Sequence, residues 1–237
     1  RASRPLRHFQ VIRLTLPTMT FHTYRFKLHH PESFPHVLRT VNLHLLKSKT
    51  VYRWQGSPTS FVRPGDLFLA SEISKEVPAF SESVELPESA LNHLVQLKPG
   101  RAALLWDKSF LWGFLAVNTL RDLGFSFDLL TATDVRGGAL AGYQLLVVPG
   151  GWAGIRSEEL GVSGREELRR HVYRGGAYLG ICGGAGLALQ VDEGLALVPV
   201  TRKPIADRLP NFSGSIRVRQ ASSHSLWWSL RGEEVFQ

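Results

Sequence analysis

Short apolar segments alternate with segments of helical periodicity between residues 100 and 190, and this alternation restricts the fold more than any other feature. Four segments have the composition of buried strands: "RAALLWD", "FSFDLLTA", "YQLLVVPGG" and "AYLGIC". Helical spacing occurs in "GREELRRHVYRGG" and in "SFLWGFLAVNTLRDLG", where the expected apolar face is Leu111, Phe114, Leu115, Val117 and Leu120 and Gly124 is the expected cap. The pattern predicts an α/β domain with a doubly wound, mostly parallel sheet.

Two glycine-rich turns follow strands of this predicted sheet. The third strand ends in "PGG" at residues 149–151, and the fourth runs directly into Cys182. Ligands of doubly wound sheets bind outside the carboxyl ends of the strands. Both turns are therefore expected at the edge where a ligand would bind.

Cys182 is the only cysteine of the chain and stands in a G-x-C-x-G pattern with Gly180 and Gly184. Glycines at these two positions let neighbouring backbone pass close to a sharp strand-to-helix turn. A helix beginning near Gly183 would favour a thiolate, and its free amides could bind an oxyanion together with an amide of the Gly150–Gly151 turn. The alternative is that Cys182 is a small apolar residue of the core.

The segments "LLVVPGG" and "GGAYLGICGGAGLAL" resemble the class I glutamine amidotransferase-like superfamily, which is flavodoxin-like in fold. The resemblance is greatest to the domain at the N-terminus of eukaryotic biotin-protein ligases, which also stands alone in bacteria. It covers residues 101–190, with weaker similarity in "LPNFSGSIRV". It implies that Cys182 is the nucleophile, Gly183 the following oxyanion donor, and Gly150 and Gly151 the other side of the oxyanion hole.

The chain departs from the amidotransferase pattern in its expected base. In that superfamily a histidine, oriented by an acid two residues later, activates the cysteine. His224 is the only histidine after Cys182, and the residue two positions beyond it is Leu226. His224 is thus either a base without its orienting acid or a loop residue, and Asp107 is either an acid near the thiol or an ordinary strand-end residue.

Two functions remain open on this basis. The first is a cysteine-dependent amide hydrolase, and the second is an inactive amidotransferase-like module that binds a small amide, a carboxylate or a protein. The glycine- and arginine-rich loop that holds biotinyl-adenylate is absent, so the chain is not expected to be a biotin ligase by itself. No phosphate-binding loop, dinucleotide fingerprint or metal cluster occurs, and no cofactor or metal is predicted.

Residues 1–98 are expected to form a basic extension, ahead of an α/β domain at residues 99–237. Through residue 99 the chain has 13 Lys and Arg against 7 Asp and Glu. No sustained periodicity is evident, and prolines that should interrupt long elements recur at Pro17, Pro31, Pro35, Pro58, Pro64, Pro78 and Pro87. We therefore expect an irregular, poorly ordered segment rather than a nucleic-acid-binding arm, because no aromatic-and-basic motif accompanies the charge.

From its bulk properties we expect the chain to be soluble, and the single cysteine is compatible with the cytoplasmic location that we expect. The composition is 43% hydrophobic and 20% charged, with no apolar run of the roughly 18 residues that a membrane span needs. One cysteine excludes an internal disulfide. The first residue is Arg1 and the only methionine is Met19, so the chain is not expected to begin at a natural start. The resemblance implies further strands after its last residue.

Overall fold

The computed structural model describes residues 22–26, 33–57, 62, 65–71, 80–86, 88–203, 207, 216–219 and 233–236. Within these ranges the strands form a five-stranded sheet, a four-stranded sheet and a two-stranded pair. The five-stranded sheet lies in the first hundred residues, and the four-stranded sheet follows it in the chain. Cys182 follows the last strand of the four-stranded sheet.

The first sheet is antiparallel and carries two helices. Its elements are β1 (His22–Phe26), α1 (Ser33–Leu46), β2 (Val51–Trp54), β3 (Leu67–Ser71), β4 (Ser81–Val84), α2 (Glu88–Leu91) and β5 (Leu94–Gln96). The strand order is β4-β1-β3-β2-β5. Leu67 and Leu69 of the central strand β3 pack against α1, and Phe68 packs with Trp54 in a second cluster. The expectation of an irregular extension is therefore wrong for these residues.

Helix α1 did have a signal in the sequence. Val37, Val41 and Leu45 recur at helical spacing and are all buried, a pattern that was present in the sequence. Pro35 lies in the first turn of α1. A proline is tolerated there because the first amides of a helix have no partner inside the helix.

The second sheet is the parallel α/β unit that the sequence predicts. Its elements are β6 (Ala102–Leu105), α3 (Phe110–Asp122), β7 (Phe127–Leu130), α4 (Ala132–Arg136), a 3₁₀ turn (Ala139–Gly142), β8 (Leu145–Val148), α5 (Ala153–Tyr173), β9 (Ala177–Gly180) and α6 (Gly183–Leu187). The order is β7-β6-β8-β9, and all three pairings are parallel. The chain runs from β6 outward to β7, then crosses back past β6 to β8 and on to β9, so the topological switch point lies between β6 and β8.

Alternate residues of the central strands contribute to two cores. Leu105 and Val148 pack with residues of α4, α5 and α6 on one face of the sheet. Leu104 and Val147 pack with Leu120 of α3 on the other. This alternation is what a strand covered on both faces requires.

Helix α3 differs in detail from its prediction. Gly124 has φ +72° and follows the helix as expected, with Phe125 N donating to Leu120 O at 2.9 Å. The predicted apolar face is only partly right, because Leu120 is buried whereas Leu111, Phe114 and Leu115 are exposed. Gly113 is buried instead: a Cβ on it would lie 2.7 Å from Ser109 Cβ and 3.1 Å from the ring of Trp106, the residue after β6, so α3 approaches through this glycine.

Helix α5 begins earlier than the sequence predicts. It runs over Ala153–Tyr173, with a break at Gly161, whose φ of 61° and ψ of −173° are not helical. The predicted helix corresponds to its second half.

The last two strands, β10 (Ile216–Arg219) and β11 (Glu233–Phe236), pair antiparallel. Among the helices of the described residues, none has the length and apolar character to span a bilayer.

Candidate active site

Cys182 lies at the turn between β9 and α6, at the carboxyl edge of the parallel sheet. Its φ of 54° and ψ of −111° lie outside the regions that a residue with a side chain ordinarily adopts. Such a conformation costs about 1–3 kcal/mol and persists only where the surrounding structure enforces it. The cysteine is exposed, so its interpretation as a buried core residue is wrong.

Glycines around Cys182 allow the close approach that enforces this turn. A Cβ on Gly183 would lie 1.8 Å from Gly151 O, and one on Gly184 would lie 2.0 Å from Val148 O. A Cβ on Gly180 would lie 2.7 Å from the carbonyl of Gly184. Each distance is far below van der Waals contact, so α6 lies on the end of β8 only because these positions lack a side chain.

The structure brings the Gly150–Gly151 turn against the start of α6. Gly151 has φ +127°, and its carbonyl lies next to the Cα of Gly183. Within the described part of the chain, the amides of Gly151 and Gly183 donate no hydrogen bond to the protein. The free amide of Gly183 directly follows Cys182, and that of Gly151 lies beside Gly183. Amides of this kind can stabilise an oxyanion.

Arg156 is a site residue that the sequence analysis missed. Its side chain is 1% exposed and donates to Pro149 O at 2.7 Å and to Gly150 O at 2.9 Å. It also donates to Ser109 Oγ at 3.2 Å. The guanidinium thus bridges the loop after β6 and the turn after β8, at the switch point of the sheet.

The signal for Arg156 was its position on the first half of α5. Ala153, Arg156 and Leu160 recur on one helical face, and Leu160 is fully buried. Burial lowers the pKa of Arg156, and electrostatic interactions with Tyr178 and Cys182 oppose this shift. The guanidinium also borders Gly151, since a Cβ on this glycine would lie 3.3 Å from Arg156 Nη2.

Tyr178 stabilises the Cys182 turn through a hydrogen bond to α6. Its hydroxyl donates to Gly184 O at 2.7 Å, which connects β9 to α6. Burial raises the pKa of Tyr178, although the charge of Arg156 opposes the shift. The hydroxyl is therefore neutral and can donate throughout the physiological range.

Asp107 follows β6, but its carboxylate contacts a residue that follows β7, on the opposite side of β6 from Cys182. It accepts a hydrogen bond from the amide of Ala132, at the start of α4 beyond β7. Cys182 follows β9, which is separated from β6 by β8. No contact between described residues joins Asp107 to the thiol, and the observed contact is that of a helix-capping carboxylate.

The remaining candidates are placed as follows. His224 lies outside the described residues, as do Trp227 and Trp228. Trp152, which follows the Gly150–Gly151 turn, is 73% exposed and does not pack in the core. Within the described ranges, no group of three or more metal-binding side chains is arranged to hold a metal ion.

Two cavities lie at the opposite, amino-terminal edge of the parallel sheet. One, of about 220 Å³, is bordered by Asn42, Gly100 and Gly124, and the other, of about 300 Å³, by Tyr143 and His171. Neither is bordered by Cys182.

Comparisons with models of protein families, with curated proteins and with solved structures find no match to this chain.

Proposed function

We propose that the parallel unit is a flavodoxin-like, class I glutamine amidotransferase-like domain of the type found at the N-terminus of biotin-protein ligases, and that it is a cysteine-dependent amide hydrolase. Cys182 is the nucleophile in this proposal, and Gly183 and the Gly150–Gly151 turn form the oxyanion hole. The proposal concerns hydrolysis or transfer of an acyl group and does not include biotin ligation.

One observation carries the proposal: Cys182 is exposed at a strained turn between β9 and α6, and the two glycines that follow it are buried against the end of β8 and the Gly150–Gly151 turn. A structural cysteine gains nothing from a conformation that costs about 1–3 kcal/mol, whereas a nucleophile gains access to its substrate. Two free amides next to the thiol add the electrostatic component that acyl transfer needs.

In the proposed reaction, the Cys182 thiolate attacks the carbonyl carbon of a bound amide, and the oxygen becomes an oxyanion that accepts hydrogen bonds from the amides of Gly151 and Gly183. The C–N bond then breaks. Its electron pair leaves with the amine, which takes up a proton from a general acid, and a thioester remains on the sulfur. Water hydrolyses the thioester, releases the carboxylic acid and restores the thiol.

A binding or regulatory module is the second candidate, because of the placement of Asp107. Its carboxylate is bonded to the amide of Ala132, and no described histidine or carboxylate forms a hydrogen bond or ion pair with Cys182. The module would keep the turn as architecture and bind a small carboxylate or amide at the free amides of Gly151 and Gly183.

The first test is the rate of iodoacetamide labelling at pH 7, measured by mass spectrometry on folded and on denatured protein. Cys182 is the only thiol, so every adduct reports this site. An ordinary thiol is only a few per cent ionised at pH 7, so an activated, accessible thiolate should react at least about tenfold faster in the folded protein. Slow labelling that requires unfolding would contradict the proposal.

A second measurement separates the two candidates. A hydrolase should turn over p-nitrophenyl acetate repeatedly, with the Cys182→Ala variant as the inactive control. A module with a reactive cysteine should release at most one equivalent of p-nitrophenolate, because no base assists hydrolysis of the thioester. Circular dichroism of the Cys182→Ala variant checks that the fold is retained.

A further inference from the structure

Arg156 carries a buried positive charge without a carboxylate partner in the described part of the chain. Its acceptors are the two carbonyls of Pro149 and Gly150 and the hydroxyl of Ser109, and its Nε has no partner there. Burying a charge is costly unless an opposite charge compensates it. A guanidinium held only by neutral acceptors therefore favours an anion nearby.

The contacts of Arg156 also determine the direction of one peptide group. The carbonyl of Gly150 points at the guanidinium, at 2.9 Å. The C=O and N–H of a trans peptide point in opposite directions, so the amide of Gly151 points away from Arg156. Gly151 lies against Gly183, the residue after the cysteine, so the peptide group that Arg156 fixes borders the Cys182 turn.

Other ionisable groups around the turn do not replace this charge. Lys108 Nζ pairs with Glu159 at 3.1 Å, and Tyr178 is neutral for the reason given above. Arg202 lies over α6, where its guanidinium is 2.0 Å from the place a Cβ on Gly186 would take. Arg202 therefore contacts α6 at the buried Gly186, whereas Arg156 contacts the Gly150–Gly151 turn.

We propose that Arg156 is a positioning residue of the Cys182 site, which directs the Gly151 amide toward the oxyanion and supplies the positive charge that the thiolate faces. This inference rests on the proposed function of Cys182. Gly151 connects the two residues, because a Cβ on it would lie 3.3 Å from Arg156 Nη2 and its carbonyl oxygen lies 1.8 Å from the place a Cβ on Gly183 would take. Arg156 does not touch the substrate in this proposal.

The test compares three variants: Arg156→Met, Arg156→Lys and Arg169→Met. Arg169 is the matched control because it lies on the same helix and donates to two loop carbonyls, those of Gly194 at 2.8 Å and Leu195 at 2.9 Å. Arg169→Met thus removes one charge and a comparable set of hydrogen bonds without altering the Gly150–Gly151 turn. Circular dichroism and thermal unfolding monitor the fold of each variant.

The readout is the ratio of labelling rates with iodoacetate and iodoacetamide, each normalised to the denatured protein. A nearby cation favours the anionic reagent, so wild type should show a ratio above that of denatured protein, and Arg156→Met should lower it by about tenfold. Arg156→Lys should keep most of the ratio, because the charge remains. It should also slow acylation by p-nitrophenyl acetate, because an ammonium lacks the planar fork that holds two carbonyls.

Each outcome decides between the proposals. If Cys182 of the wild type reacts no faster when folded, both the proposed function and the role of Arg156 fail. If Cys182 is reactive but Arg156→Met and Arg169→Met give the same ratio, only the inference about Arg156 fails. Should Arg156→Met not fold, Arg156→Lys decides: wild-type acylation in this variant overturns the positioning role, and a wild-type protein without preference for iodoacetate overturns the electrostatic role.

Discussion

Replacing Gly184 by alanine should destabilise the protein, because the carbonyl of Val148 leaves no room for a Cβ. The distance between the new Cβ and Val148 O would be 2.0 Å, whereas carbon and oxygen are in contact at about 3.3 Å. Helix α6 would therefore have to move by about 1.3 Å from β8. Val148 O cannot yield easily, since it already accepts a hydrogen bond from Ile181 N at 3.0 Å.

Gly186→Ala is the matched control on the same helix. Its Cβ would also lie 2.0 Å from the nearest atom, but this atom is Nη2 of Arg202, at the end of a flexible side chain. The arginine can rotate away at little cost. Alanine is favoured over glycine inside a helix by about 1 kcal/mol, so this variant should be neutral or slightly more stable.

The expected difference between the two variants follows from these contacts. Overpacking a rigid position costs about 1–3 kcal/mol, and the helical preference of alanine returns up to about 1 kcal/mol. We expect Gly184→Ala to lower the free energy of unfolding by about 2 kcal/mol, or the Tm by roughly 4–8 °C for a chain of this size. Circular dichroism during heating measures both variants.

The labelling rate of Cys182 provides a second readout of the same change. If α6 moves in Gly184→Ala, the backbone that holds Cys182 moves with it, and iodoacetamide labelling should change as well. Equal Tm shifts in Gly184→Ala and Gly186→Ala would refute the reasoning, because the two differ only in whether backbone or a side-chain end opposes the new methyl group.

Two further predictions concern the supports of the site. Tyr178→Phe should lower the free energy of unfolding by about 1 kcal/mol, because the hydrogen bond to Gly184 O is lost. Tyr173→Phe is the control and should have no effect, because Tyr173 is 80% exposed. Equal effects of the two changes in urea unfolding would count against a contribution of this hydrogen bond. The hydroxyl and amide of Thr131 hold the pKa of Asp134 below its usual 3.8 in the capping box of α4. Its stabilisation should therefore be complete above pH 3.8 and disappear as the pH falls through the lower folded pKa, so the difference between wild type and Asp134→Asn should shrink in acid; a constant difference would exclude this contribution.

Local pattern was sufficient to predict the parallel unit. Buried strands such as Ala102–Leu105 and Leu145–Val148 are continuous apolar runs, and Gly124 ends α3 with the positive φ that favours glycine. These features depend on residues close together in the chain, so their signal is visible in the sequence. The turn at Cys182 belongs to the same class, since the strand, the cysteine and its glycines are contiguous.

The first sheet was missed because its pairings are not local. Strand β1 pairs with β3 and β4, more than forty residues later in the chain, with His22 opposite Ser71. Five short antiparallel strands give little periodicity individually, and the prolines between them obscured the helical spacing of Val37, Val41 and Leu45. Only the assembled sheet shows that Phe68 and its neighbours in β3 are buried on both faces.

The sequence alone determined that this chain contains a parallel α/β unit and that its one cysteine follows the fourth strand of that unit, because apolar periodicity and glycine spacing are properties of neighbouring residues. Tertiary structure alone decided which charged groups surround the turn. Arg156 contacts Ser109 and the carbonyls after β8 only because β6 and β8 are adjacent, and Asp107 contacts Ala132 only because β7 lies on the other side of β6. Burial and hydrogen bonding of a charge depend on segments that meet only in the folded chain, so no local pattern specifies them.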